Sequence, residues 1–337
     1  MAQISKVWLF TALIVNTSAS AQDVHYVQFD ATPLAVNPAL TGMFDGSMRM
    51  SALYRNQWAN EIIPYVTSGT SFDMPVFTDK KKNYVGMGTQ IIRNTTGDGT
   101  LYSFSMIFSA AYHKHFGKKD GNICDFGIGL QGAYLQRNYD VAYLFYGGEF
   151  LYGQFANTWG SGISFMELNV GLSFSQSLGQ HFNYTIGLSE NNIREPSEKW
   201  QQQQAIGTGI VRNTTGVFSA IWRPGKLSFR PCIHVVVSKL RTAIIGGNEF
   251  HYTVSKNKQH NNPVSVFAGG WYRLDDIASV TVGAEFLRVR IGMAVDCTPV
   301  PRHMKYSGLG AVEFSVKYTT PANLWSAKKR DIPHNRF

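Results

Sequence analysis

Beyond residue 21 the chain has no apolar run long enough for a membrane helix, and only 16% of its 337 residues are charged. A helix needs about twenty consecutive apolar residues to span a bilayer, so a helical membrane protein is excluded. Cysteine is equally thin. Cys124, Cys232 and Cys297 are odd in number and have no CxxC spacing, which indicates neither a disulfide framework nor a zinc site and suits small apolar residues in strands. GxSxG, HExxH, P-loop and EF-hand patterns are missing, as is a GxGxxG placed between strand and helix. His113 and His115 share a strand face, but two ligands without a third are weak evidence of a metal site. Nothing points to a Ser-His-carboxylate site. The expectation is no catalytic residue, no metal and no cofactor.

What is present is glycine, tyrosine and alternation. With 32 Gly, 16 Tyr and 13% aromatics, the composition favours many strands and turns over long solvated helices. Residues 1–21 read as a cleaved signal peptide: Lys6 gives the positive start, Val7 to Val15 the apolar run, and Ala19-Ser20-Ala21 a small-x-small site. Cleavage is expected between Ala21 and Gln22, which exports the mature chain.

The alternation has period two. Tyr102, Phe104, Met106, Phe108, Ala110 and Tyr112 form one face of a strand whose other face carries Ser103, Ser105, Ser109 and His113. The same device recurs at Met166 to Phe174, Leu287 to Val295 and Val312 to Tyr318. A soluble sandwich hides the apolar face and a transmembrane barrel exposes it, so alternation alone does not choose. Length does: these segments run about ten residues or more, enough for a tilted strand to cross a bilayer, and tyrosine or tryptophan caps their ends as in an interfacial girdle. The predicted fold is all-β, a transmembrane outer-membrane barrel of about fourteen antiparallel strands. Strands are expected to begin near Ser47, Tyr65, Tyr84, Leu101, Ile123, Phe165, His181, Arg212, Leu227, Ala243, Val264, Ala278, Leu287 and Gly308. The organisation read from this is a signal peptide at 1–21, a periplasmic or plug segment at 22–46, the barrel at 47–320 and a basic periplasmic tail at 321–337.

In the first strand, MSALYRNQW, Met50, Ala52 and Tyr54 share a face and Arg49, Ser51, Leu53 and Arg55 the other. An arginine on the lipid face at mid-depth costs about 2–4 kcal/mol, so Arg49 and Arg55 are expected in the lumen. By the same parity Asp73, Asp125, Glu167, Glu285, Arg288, Arg290, Asp296, Glu313 and Lys317 join a polar network inside the barrel. With the N-terminus in the periplasm, the short connections fall on the periplasmic side, among them Pro75 to Asn83, Arg223 to Lys226 and a tight turn at Phe286 to Leu287. The two longest, Arg137 to Gly162 and Ser189 to Val211, fall outside. Much of the net charge of +9 then sits on the periplasmic rim, at Lys80, Lys81, Lys82, Lys118, Lys119, Arg223, Lys226, Lys256 and Lys258 and in the tail, rather than in a nucleic-acid groove.

These residues also carry a resemblance. YVQFDATPLAVNPALTG, with Asn37, Pro38, Ala39 and Gly42 in an NPAxxG pattern, is followed by YRNQW at Tyr54 to Trp58 and later by GLQGAYLQ, GGWYRLDD and IPHNRF. The ensemble resembles the PorP/SprF family of outer-membrane proteins of the Bacteroidetes type IX secretion system over nearly the whole mature chain. His334 and Asn335 stand where the family tail often has Cys-Pro. The resemblance implies a non-enzymatic fourteen-stranded barrel of the outer membrane that assists secretion or surface attachment of type IX cargo, including gliding adhesins. The implied partners are membrane lipid, the cargo's C-terminal domain and periplasmic type IX components. Long irregular loops carry specificity on rigid scaffolds. On that ground Tyr143, Phe145, Tyr146, Phe150, Tyr152, Phe155 and Trp159 are candidate cargo contacts, or a lid folded into the mouth. The alternative is a diffusion channel for small or hydrophobic solutes, which requires an open lumen.

Overall fold

The computed structural model describes residues 26–57, 64–79, 82–96, 101–117, 122–139, 162–179, 181–194, 211–239, 242–257, 262–274, 277–297 and 309–321. Fourteen strands pair antiparallel with their neighbours in chain order and close into a barrel where β1 meets β14. They are β1 Arg49–Gln57, β2 Tyr65–Thr78, β3 Tyr84–Thr96, β4 Leu101–Gly117, β5 Asn122–Tyr139, β6 Gly162–Leu178, β7 Phe182–Asn191, β8 Asn213–Trp222, β9 Leu227–Ser238, β10 Thr242–Asn257, β11 Asn262–Arg273, β12 Ile277–Phe286, β13 Val289–Cys297 and β14 Leu309–Thr319. Closure leaves no strand edge, which the bilayer interior demands because lipid offers backbone groups no hydrogen-bond partner.

Each expected strand start lies within three positions of the observed one. Burial is inverted relative to a soluble protein. Phe108 is 56% and Met166 72% exposed, whereas Arg55, Asp73, Glu249 and Glu313 are at most 2% exposed. Apolar outside and polar inside, over strands of this length, is the pattern of an outer-membrane barrel, and it settles what alternation alone left open.

The barrel's two ends differ. Both the start of β1 and the end of β14 lie at the end that carries the short connections, including 179–181, 223–226 and 287–288; residues 140–161 and 192–212 connect strands at the other end. Short turns belong to the periplasmic side, which sets the orientation of the molecule in the outer membrane.

Two expected turns are displaced. Pro75 lies within β2, which runs on to Thr78 after a bulge between Pro75 and Phe77; a proline without an amide hydrogen is tolerated where the ladder is already irregular. The β12–β13 hairpin turns at Leu287 and Arg288 rather than at Phe286 and Leu287. Both have positive φ, 48° and 66°, the backbone that a two-residue hairpin loop requires. Arg288 therefore sits in a periplasmic turn and not in the lumen network.

Candidate functional site

The lumen is occupied by the chain itself. From Tyr26 to Ser47 every residue is buried except Ala35 and Asp45. The segment folds as three short helical turns, Phe29–Ala31, Pro33–Val36 and Pro38–Leu40, before leaving at the periplasmic end to start β1. Its apolar side packs on the later strands: Val27, Phe29, Val36, Leu40 and Met43 form one cluster with Val217, Cys232, Ile245, Trp271 and Ala294. Phe29 stacks on His234 at 5.3 Å and meets the Trp271 ring edge-on at 5.5 Å.

The opposite side is held through its main chain. Gln131 Nε2 donates to the Leu34 carbonyl at 2.8 Å, Ser189 Oγ to Val36 at 3.1 Å, Ser173 Oγ to Ala39 at 3.1 Å and Arg49 Nη2 to Leu40 at 3.2 Å. His113 Nε2 donates to the Thr41 carbonyl at 2.9 Å, which assigns its proton to that nitrogen. In the reverse sense, the Gly42 amide donates to Asp73 at 2.7 Å, and the Val27 and Gln28 amides donate to Glu313 at 2.9 and 3.0 Å. Buried backbone groups must be paired, and here the barrel wall supplies the partners that secondary structure does not.

The NPAxxG pattern has a matching cradle. Asn37 Oδ1 accepts from the Ala39 amide at 2.8 Å and caps the turn that Pro38 opens, while Nδ2 donates to the Leu172 carbonyl of β6 at 3.0 Å. The facing wall is glycine because nothing larger fits. A Cβ on Gly171 would stand 2.0 Å from Asn37 Oδ1, one on Gly129 2.4 Å from the Ala39 nitrogen, and one on Gly86 2.2 Å from the Thr41 oxygen. Gly42 closes the motif at φ +74°, a backbone that favours glycine.

Charged side chains fill the rest of the lumen. Arg49 clasps Asp73 through Nε and Nη2 at 2.8 and 2.6 Å. Arg55 bridges two carboxylates, Asp296 at 2.7 Å and Glu313. Arg290 bonds Glu249 and Glu285, each at 3.0 Å, and reaches Asp30 of the plug at 3.5 Å. Lys317 meets Asp30 at 3.2 Å and Arg230 meets Glu285 at 3.0 Å. Asp125 pairs with His115 at 2.8 Å at the periplasmic end, and Glu167 is half-buried on the inward side of β6. The inward parity thus places Arg49, Arg55, Asp73, Asp125, Glu167, Glu285, Arg290, Asp296, Glu313 and Lys317 in the lumen and leaves out Arg288.

Sequence reading missed Asp30, Arg230, Glu249 and His251, the last 3.0 Å from Glu249. The signal for two of them was available: Phe250 and Tyr252 are exposed, so Glu249 and His251 between and beside them face inward. Arg223, expected on the rim, is half-buried in the β8–β9 turn, where burial and the neighbouring Arg230 hold its guanidinium down to about 10. Lys226 of the same turn is exposed.

Among the described residues no group of three or more His, Cys, Asp or Glu side chains could hold a metal ion. Cys124, Cys232 and Cys297 are free thiols. The signal site at Ala21 and Gln22, the loop aromatics Tyr143 to Trp159, much of the basic rim and the tail after Pro321 lie outside the described residues.

Among solved structures the chain has distant matches. The Ralstonia pickettii toluene transporter TbuX is 12% identical with a TM-score of 0.49, covering 87% of this chain and 94% of its own. The CymD monoaromatic hydrocarbon channel gives 12%, 0.49, 86% and 93%. No curated relative matches the sequence. The match that identifies the chain is to a family: residues 18–318 fit the type IX secretion system membrane proteins PorP/SprF, and the chain belongs to that family.

Proposed function

We propose that this barrel is a non-enzymatic scaffold of type IX secretion, which holds a secreted cargo protein by its C-terminal domain on the outer loops and meets periplasmic components at its base. Family membership makes it a membrane component of that system. The observation that carries the scaffold reading is the filled lumen. Residues 26–47 occupy the cavity through which a channel would conduct, and they are fastened to strands from nearly the whole circumference. A diffusion channel needs that space, so the surfaces and not the lumen are left to act. Outer loops at 140–161 and 192–212 are the longest connections on the external side and suit recognition on a rigid frame.

The test is a native pull-down of the tagged protein from outer membranes in mild detergent, with mass spectrometry of what remains bound. The expected result is a large secreted protein with a type IX C-terminal domain, lost when residues 140–161 are deleted from a barrel that still folds. Recovery of the barrel alone, with solute-dependent conductance in planar bilayers, would overturn the scaffold reading in favour of the channel.

A further inference from the structure

Among the irregular places in the barrel wall, the seam between β8 and β9 has a groove in front of it. Along β8 and β9 the register is continuous from Asn213↔Ser238 to Ser219↔Cys232 and resumes at Trp222↔Phe229, but pairing lapses at Ala220 and Ile221 opposite Arg230 and Pro231. Pro231 has no amide hydrogen to give the ladder, which accounts for a lapse at this place in a strand that is not at an edge. On the lipid side the lapse opens a groove of about 640 Å³ lined by Phe182, Trp222, Phe229, Pro231, Asn248 and Phe250. The aromatics pack on one another: Trp222 stacks on Phe229 at 5.2 Å, and Phe229 meets Phe250 edge-on at 5.4 Å.

Three further facts separate this groove from ordinary lipid-facing surface. It lies at the periplasmic end, since Phe182 and Trp222 directly flank the short turns at 179–181 and 223–226. Those turns present exposed cationic or titratable groups, Lys226 and His181, next to its mouth. Asn248 is polar on the outward face of β10, and its buried Oδ1 has no hydrogen-bond partner. A polar amide facing lipid is costly unless something pairs with it.

We infer that this groove is a binding site for one anionic lipid of the periplasmic leaflet. An acyl chain lies along the aromatics in the gap left by Pro231. The negative headgroup meets Lys226 and His181, and the side-chain amide of Asn248 donates to an ester carbonyl where chain and headgroup join. Charge complementarity favours an anionic lipid over a zwitterionic one, and the seam favours a single fixed molecule over a moving annulus.

The experiment uses the full barrel in mild detergent with an equimolar mixture of phosphatidylglycerol and phosphatidylethanolamine, read by native mass spectrometry. One phosphatidylglycerol should stay bound per barrel, preferred at least threefold. Lys226→Glu should abolish the preference. Asn248→Phe, which fills the groove from the outside and leaves the lumen untouched, should abolish retention, while Ile128→Phe on a distant lipid face should change nothing. Equal retention of the two lipids, or a preference that survives both groove variants in folded barrels, would mean annular lipid only and overturn the site. Neither result depends on cargo binding, so this test and the scaffold test fail separately.

Discussion

Arg55 of β1 and Glu313 of β14 are register partners across the seam where the first strand meets the last, and their side chains form an ion pair inside the barrel. Arg55 holds Asp296 of β13 as well, and Glu313 also receives two amides of the plug. One arginine thus fastens barrel closure, and through Glu313 the plug is tied to the same point. Arg55→Met would leave two buried carboxylates without their cation. Breaking a buried pair in this way costs about 3–5 kcal/mol, and urea unfolding in liposomes should show a loss of that size. Arg55→Met combined with Glu313→Gln should recover part of it.

The glycine cradle makes a prediction of a different kind. Gly171→Val places branched carbon where Asn37 now sits, and with 2.0 Å to the nearest atom the plug must move while the outer wall stays intact. The variant should insert and resist heat like the parent, yet expose residues 26–47 to protease and to amide exchange. Asn37→Ala is the milder form. It removes a cap and a cross-lumen hydrogen bond, a loss of about 1–2 kcal/mol, and should raise exchange over Pro38–Leu40 first.

Asp30 is the plug's own charged anchor, set between Arg290 and Lys317. Asp30→Asn leaves the lumen with an unmatched positive charge. Plug detachment should follow, with increased labelling of a cysteine placed at the buried Ala31. Unchanged labelling would show that the apolar contacts of Phe29 suffice to hold it.

The β12–β13 hairpin carries strain that can be relieved. Leu287 and Arg288 both adopt left-handed backbone, which costs an L-residue about 1–2 kcal/mol. Arg288→Gly should stabilise the barrel by about 1 kcal/mol in equilibrium unfolding. A loss would mean that the Arg288 side chain makes contacts worth more than the strain.

The barrel was legible because its signal is local. Alternation over Tyr102 to Tyr112 and Met166 to Phe174 names both the strand and the face that meets lipid, and a charge such as Arg55 must then turn inward. Pairing within the lumen was not legible. Arg290 meets Glu249 and Asp30, residues far apart in the chain, and only the curvature of the closed sheet brings them together. The plug was half-visible: NPAxxG stood out as a pattern, but its cradle is Gly86, Gly129 and Gly171 on three separate strands, and even with Gly129 inside GLQGAYLQ nothing tied these glycines to the motif until it lies against them. The displaced hairpin at Leu287 and Arg288 escaped because neither residue type advertises positive φ.

That the protein acts through its surfaces and not through its lumen is tested most directly by single-channel recording of the purified wild-type barrel in planar bilayers beside Gly171→Val. The expected result is a silent wild type and a conducting variant. Steady conductance in the wild type, of the same size in the variant, would contradict a closed lumen and with it the scaffold.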